Sequence, residues 1–113
     1  MKGEAEASAA RAGTAKKIAD ALQRALDSMH AWMREGAKVS DDNLTVEGSY
    51  RSNLPKEGAY EVGEYEYERM VSEEISGYRR TLAPLLAPFK DQIAKVEVYD
   101  GEKSWIYTNI LLK

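Results

Sequence analysis

Few side chains in this sequence are equipped for chemistry. His30 is the sole histidine and there is no cysteine. A thiol nucleophile, a thiolate metal site and a disulfide are therefore excluded. Any Ser-His-Asp arrangement has to be built around His30. Asp27 lies three residues before it and Arg34 four after, which on a helix would put Asp27 within reach of the imidazole as the partner of a general base. The plainer reading is a boundary histidine at the edge of an apolar stripe. Asp100, Glu102 and Lys103 group two acids with a lysine, as some nucleases do, but around one tight turn where such residues are ordinarily solvated. No histidines recur four apart, no acidic loop carries a glycine at its sixth position, and no glycine-rich loop could cradle a phosphate. No catalytic residue, metal or cofactor is expected. A small enzyme using carboxylate or tyrosine chemistry is only the third reading.

Recognition chemistry is better represented. From Glu57 to Glu68 the chain carries five acids and no base. If this segment is a strand, Glu64, Glu66 and Glu68 step along one face about 6.6 Å apart, with Tyr65 and Tyr67 on the other. Carboxylates on an exposed strand discourage edge-to-edge pairing. They would also suit docking on a basic partner surface, and tyrosine is enriched in protein contacts. The leading expectation is thus a non-enzymatic protein-binding domain, an adaptor or small inhibitor, using Glu64, Tyr65, Glu66, Tyr67 and Glu68. The alternative is a nucleic-acid-binding module on the basic group Arg69, Arg79, Arg80 and Lys90, where an aromatic beside arginines could stack and hold phosphate.

Charge and composition bound these readings. The net charge is −3 and the isoelectric point near 5.2, against the basic surface usual in nucleic-acid binders. Residues 37–68 hold three bases and eight acids, residues 69–90 four bases and two acids, so an acidic and a mildly basic region are expected. The longest greasy stretch, Leu82 to Phe89, is eight residues with two prolines, far short of the roughly 20 that cross a bilayer. The first residues include two acids and no apolar run, unlike a secretory leader. No membrane association and a cytoplasmic location are expected. The apolar share is diluted by fifteen alanines, and seven tyrosines stand against one phenylalanine. Such a core is thin.

Residues 1–13 carry no large side chain after Met1, which predicts a flexible N-terminal arm or a loose helix, followed by one α+β domain over 14–113. Thr14 reads as an N-cap. Ile18, Leu22, Ala25, Leu26, Met29, Trp32 and Met33 form one helical stripe, closed by Gly36 as a C′ residue. Asp41-Asp42-Asn43 is a turn. Leu44, Val46 and Tyr50 alternate with polar residues as a half-buried strand. After a loop over Ser52–Gly58 comes a second strand. Tyr60 and Val62 sit on even numbers and Tyr65, Tyr67 and Val71 on odd ones, so a β-bulge is placed at Gly63. Ser72 followed by Glu73 and Glu74 looks like the start of a second helix, with Ile75, Tyr78, Leu82, Leu85, Leu86 and Phe89 on one face. Pro84 and Pro88 should bend or divide it. Ala94–Tyr99 and Ser104–Leu112 read as a hairpin turned at Asp100-Gly101. A two-residue type I′ turn would align Val96 and Val98 with Trp105 and Tyr107, a three-residue loop with a Gly bulge with Ile106.

The order is α-β-β-α-β-β, an α+β fold with a four-stranded, mainly antiparallel sheet and helices packed on one face. The last strand is apolar on both sides, which suits a central strand or one covered by a second subunit. Trp105, Tyr107, Ile110 and Leu112 are the residues expected to mediate a homodimer.

Overall fold

The structure, a computed structural model, describes residues 2–54 and 63–113, with side chains from residue 9 onward. Helix α1 spans Lys2–Ser28 and buries Ala15, Ile18, Ala21, Leu22, Ala25 and Leu26. The apolar spacing that predicts a helix is real, but the helix begins and ends earlier than expected. Thr14 is internal rather than a cap, and of the two readings of the first residues, a flexible arm or a loose helix, the chain is helical from Lys2. At the other end the Ser28 hydroxyl donates to Ala25 O at 2.7 Å. Arg34 reaches back to donate from Nε to Leu26 O at 2.9 Å and from its terminal nitrogen to Met29 O. A cation on the last carbonyls of a helix satisfies orphaned acceptors and opposes the dipole's negative end. Arg34 does this from a strand, β1 (Ala31–Val39). Trp32 and Met33, placed by their spacing on the helix stripe, therefore belong to the sheet, and Gly36 ends nothing.

Strand β2 (Thr45–Ser52) matches the expected strand over 44–50. The turn before it is an Asx turn. Asp42 Oδ1 accepts from the Ser40 hydroxyl at 2.6 Å and from Leu44 N–H at 3.0 Å, and Asn43 takes φ 59°. The Ser40 hydrogen bond is the main reason the Asp42 carboxyl sits below the usual carboxylate range.

The expected second strand fails. Tyr60, Val62 and most of the preceding loop lie outside the described residues, and its remaining residues form helix α2 (Glu64–Leu86). Gly63 is not a bulge but the extended N-cap of α2, with Glu64 and Glu66 in the favourable first turn. Tyr67, Val71, Tyr78, Leu82 and Leu86 are buried, and their helical spacing overrides the short run of period two. Ser72 lies inside α2 and caps nothing. Pro84 is accommodated within the last turn, and Pro88 opens a 3-10 turn, Ala87–Gln92. Strands β3 (Ile93–Asp100) and β4 (Trp105–Leu112) follow.

The order is α-β-β-α-β-β as expected, though residues 31–39 supply the first strand. The sheet is antiparallel throughout, in the order β1-β2-β4-β3. Both helices pack on one face: α1 on β1 and β2, α2 on β3 and α1. The covered face carries Val46, Tyr50, Val98, Ile106, Ile110 and Leu112. Gly48 lies there because α1 comes too close for a side chain; a Cβ would sit 2.8 Å from a Leu26 methyl and 3.2 Å from a Leu22 methyl. Tyr50 and Tyr78 meet edge-to-face with centroids 5.2 Å apart. The Tyr50 hydroxyl donates to Glu74 Oε1 at 3.0 Å, and Tyr78 shares a 2.6 Å hydrogen bond with the Thr108 hydroxyl. Buried tyrosines need such partners. This pairing explains how a chain with one phenylalanine fills its core.

The last hairpin does not use a two-residue turn. Asp100 pairs with Ile106, Gly101 N–H donates to Trp105 O at 2.8 Å, and Glu102–Ser104 makes a 3-10 turn with Lys103 and Ser104 at φ 55° and 65°. Val96 pairs with Ile110 and Val98 with Thr108, so both valines share the face of Ile106, as expected for a three-residue loop, although the turn is longer and its positive-φ residues are Lys103 and Ser104 rather than a glycine.

Candidate functional site

Antiparallel registers fix what the uncovered face of the sheet presents. Met33, Arg51 and Trp105 lie in one row; Glu35, Ser49, Tyr107 and Tyr99 in the next; Lys38, Glu47, Asn109 and Glu97 in the third; Thr45, Leu111 and Lys95 in the last. Neither helix reaches this face. Trp32 is 71% exposed, Met33 55% and Tyr99 50%. The Arg51 guanidinium lies 5.4 Å from the centroid of the Trp32 ring, a cation–π distance, and its Nε donates to Lys103 O at 2.9 Å. Tyr107 stacks on Tyr99 with centroids 5.4 Å apart and lies near-parallel to Trp105 at 6.4 Å. The Tyr107 ring also covers Gly101, where a Cβ would collide with it. A continuous aromatic band thus crosses one end of the face, with mixed charges beyond it. Between them is a depression of about 190 Å³ lined by Glu35, Lys38, Glu47, Ser49, Tyr107 and Asn109. Asn109 Oδ1 is buried without a hydrogen-bond partner among the described residues.

The four residues expected to mediate self-association are split by the sheet. Trp105 and Tyr107 belong to the open face, while Ile110 and Leu112 are buried beneath the helices. Of the acidic-strand residues, Glu64, Tyr65, Glu66 and Glu68 are exposed, and Tyr67 is only 7% exposed with its hydroxyl 3.3 Å from that of Ser104. On a helix successive side chains turn by about 100°, so the three glutamates do not form a row. Glu66 faces Arg69 at 3.2 Å, and Glu73 holds the other side of the same guanidinium at 2.9 Å.

The basic group is dispersed for the same reason. Arg69 is engaged by two carboxylates, Glu66 foremost, which raise its pKa further. Arg79 lines a cleft of about 460 Å³ between α2 and β3, beside Tyr67, Glu68, Val71, Ile75 and Asp100. Arg80 projects about 100° away from it, and Lys90 lies in the 3-10 turn. His30 is exposed in the link between α1 and β1, and Asp27 accepts a hydrogen bond from Gln23 at 2.9 Å. Among the described residues no three His, Cys, Asp or Glu side chains cluster as metal ligands, and no helix is long and apolar enough to cross a membrane.

Sequence reasoning missed Trp32, Met33, Arg51 and Tyr99. The first two were absorbed into the helix stripe, and their one contrary signal was the strand preference of tryptophan. Comparison with protein families, curated proteins and solved structures finds no match.

Proposed function

We propose that the chain is a protein-binding domain, an adaptor or small inhibitor rather than an enzyme, and that its docking surface is the open face of the sheet. The observation that carries this reading is the uncovered aromatic band of Trp32, Met33, Trp105, Tyr107 and Tyr99. A sheet in a small domain is normally covered on its apolar face, and contiguous exposed apolar area marks an interaction site. Tyrosine, tryptophan, methionine and arginine are the residues enriched at protein contacts, and all four occur here. The carboxylates Glu35, Glu47 and Glu97 are balanced by Lys38, Arg51 and Lys95, so this face has no bias toward a basic partner. The docking role moves from Glu64–Glu68 to the sheet.

A photo-crosslinking side chain at Tyr99 tests the reading in extract of the native host, with the same probe at exposed Glu73 on α2 as reference. Protein adducts, to other proteins or to a second copy, should form at position 99 well above those at 73. Equal labelling at the two positions would remove the open face from the account.

A further inference from the structure

The occupant of this face can be argued from its charge pattern. Resting on the reading above, we infer that the open face binds a second copy of the same chain about a two-fold axis parallel to the strands, running between β2 and β4. Such an axis lays β2 of one copy over β4 of the other and β1 over β3. It keeps the strands of the two sheets aligned, as in sandwich packing, and makes the contact self-complementary, as a two-fold interface must be.

The registers then specify which residues meet. In the first row Arg51 comes over the partner's Trp105, reproducing across the interface the cation–π contact it makes with Trp32. In the second, Glu35 meets the partner's Tyr99, whose hydroxyl can donate to the carboxylate, while the partner's Tyr107 lies over Ser49, itself recessed at 4% exposure. In the third, Lys38 meets the partner's Glu97 and Glu47 meets the amide of the partner's Asn109. Thr45 lies over the partner's Leu111. No like charges are opposed, and each contact occurs twice. Among the described residues Lys38 makes no ion pair, and Glu97 has only the exposed Lys95 at 3.4 Å. An axis perpendicular to the strands also sets Lys38 over the partner's Glu35, but it lays the aromatic end over the polar end, with Arg51 over the partner's Thr45 and Tyr107 over the partner's Asn109.

Charge exchange between two variants tests this directly. K38E alone opposes two glutamates twice per dimer, and E97K alone opposes two lysines twice, so each should weaken self-association at least about tenfold. Mixed in equal amounts the two variants restore opposite charges at both contacts. The mixture should form a heterodimer with an affinity close to that of the native chain, read by sedimentation of one labelled variant against the other. Both positions are on the surface, and unchanged circular dichroism confirms that each variant folds. A native chain that stays monomeric at high concentration overturns the second copy as occupant. The docking reading then stands or falls by the crosslinking at Tyr99. A native dimer that neither variant weakens, or whose variants do not recover on mixing, overturns this arrangement. Recovery when K38E is mixed with E35K instead would assign the perpendicular axis.

Discussion

At the scale of single residues, the paired tyrosines make the clearest prediction. Burial pushes the Tyr78 phenol up to about 12, opposed only by its bond to Thr108. Burial and then the Glu74 carboxylate raise Tyr50 further above the usual tyrosine range. Ionisation is thus disfavoured in the native state relative to the unfolded chain, where tyrosine titrates near 10. Between those values the native state holds more protons, so stability is fully present below about pH 10 and falls as pH rises toward 12 and beyond. Urea unfolding across this window should show that decline, and Tyr78→Phe should reduce its slope between pH 10 and 12. A second residue-scale prediction concerns Gly48. Replacing it with Ala forces a methyl group into the side chains of Leu22 and Leu26 and should cost about 1–3 kcal/mol in urea unfolding. The tyrosine excess was visible in the sequence. Its pairing was not, because Tyr50 and Tyr78 are joined only when α2 crosses the sheet.

At the scale of elements, the sequence was legible where one periodicity stood alone and misleading where two overlapped. Ile18, Leu22, Ala25 and Leu26 have no reading but helix. Beyond them Met29, Trp32 and Met33 happen to continue the stripe, although the chain has already turned at Ser28. Strand β1 offers no alternation to correct this, since it is an edge strand exposed over most of its length. Its placement depends instead on contacts that no periodicity shows, among them those of Arg34 to Leu26 O and Met29 O and of Ala37 N–H to Gln23 Oε1. Arg34→Ala should therefore destabilise the fold by about 1 kcal/mol, with the loss in thermal unfolding only partly recovered by Arg34→Lys, which lacks the two-pronged donor. Around Tyr65 and Tyr67 the opposite error arises. Alternation of tyrosine and glutamate imitates a strand over five residues, while the helical set from Tyr67 to Leu86 extends over twenty and decides the outcome. The ion pairs of Arg69 with Glu66 and Glu73 are exposed, so Arg69→Ala should change stability by less than about 1 kcal/mol in the same assay.

At the scale of the whole molecule, an all-antiparallel sheet with both helices on one side leaves its other side open. In the sequence the only sign of an apolar outer side was β4, where large side chains fall on both parities. It could not say which parity was outward, because that depends on the hairpin loop after Asp100. The longer turn sends Ile106, Ile110 and Leu112 inward with Val96 and Val98, and leaves Trp105 and Tyr107 outward beside Tyr99. Trp32 and Met33 join them only because β1 is a strand. The central claim is that this aromatic face joins two copies of the chain, and the solution mass of the native chain tests it most directly. Sedimentation equilibrium over a wide concentration range should approach twice the 12.7 kDa chain mass, and the folded double variant Trp32→Ser/Tyr99→Ser should remain at the monomer mass throughout. A native chain at the monomer mass at every concentration, or a double variant that dimerises as well as the native chain, would contradict the account.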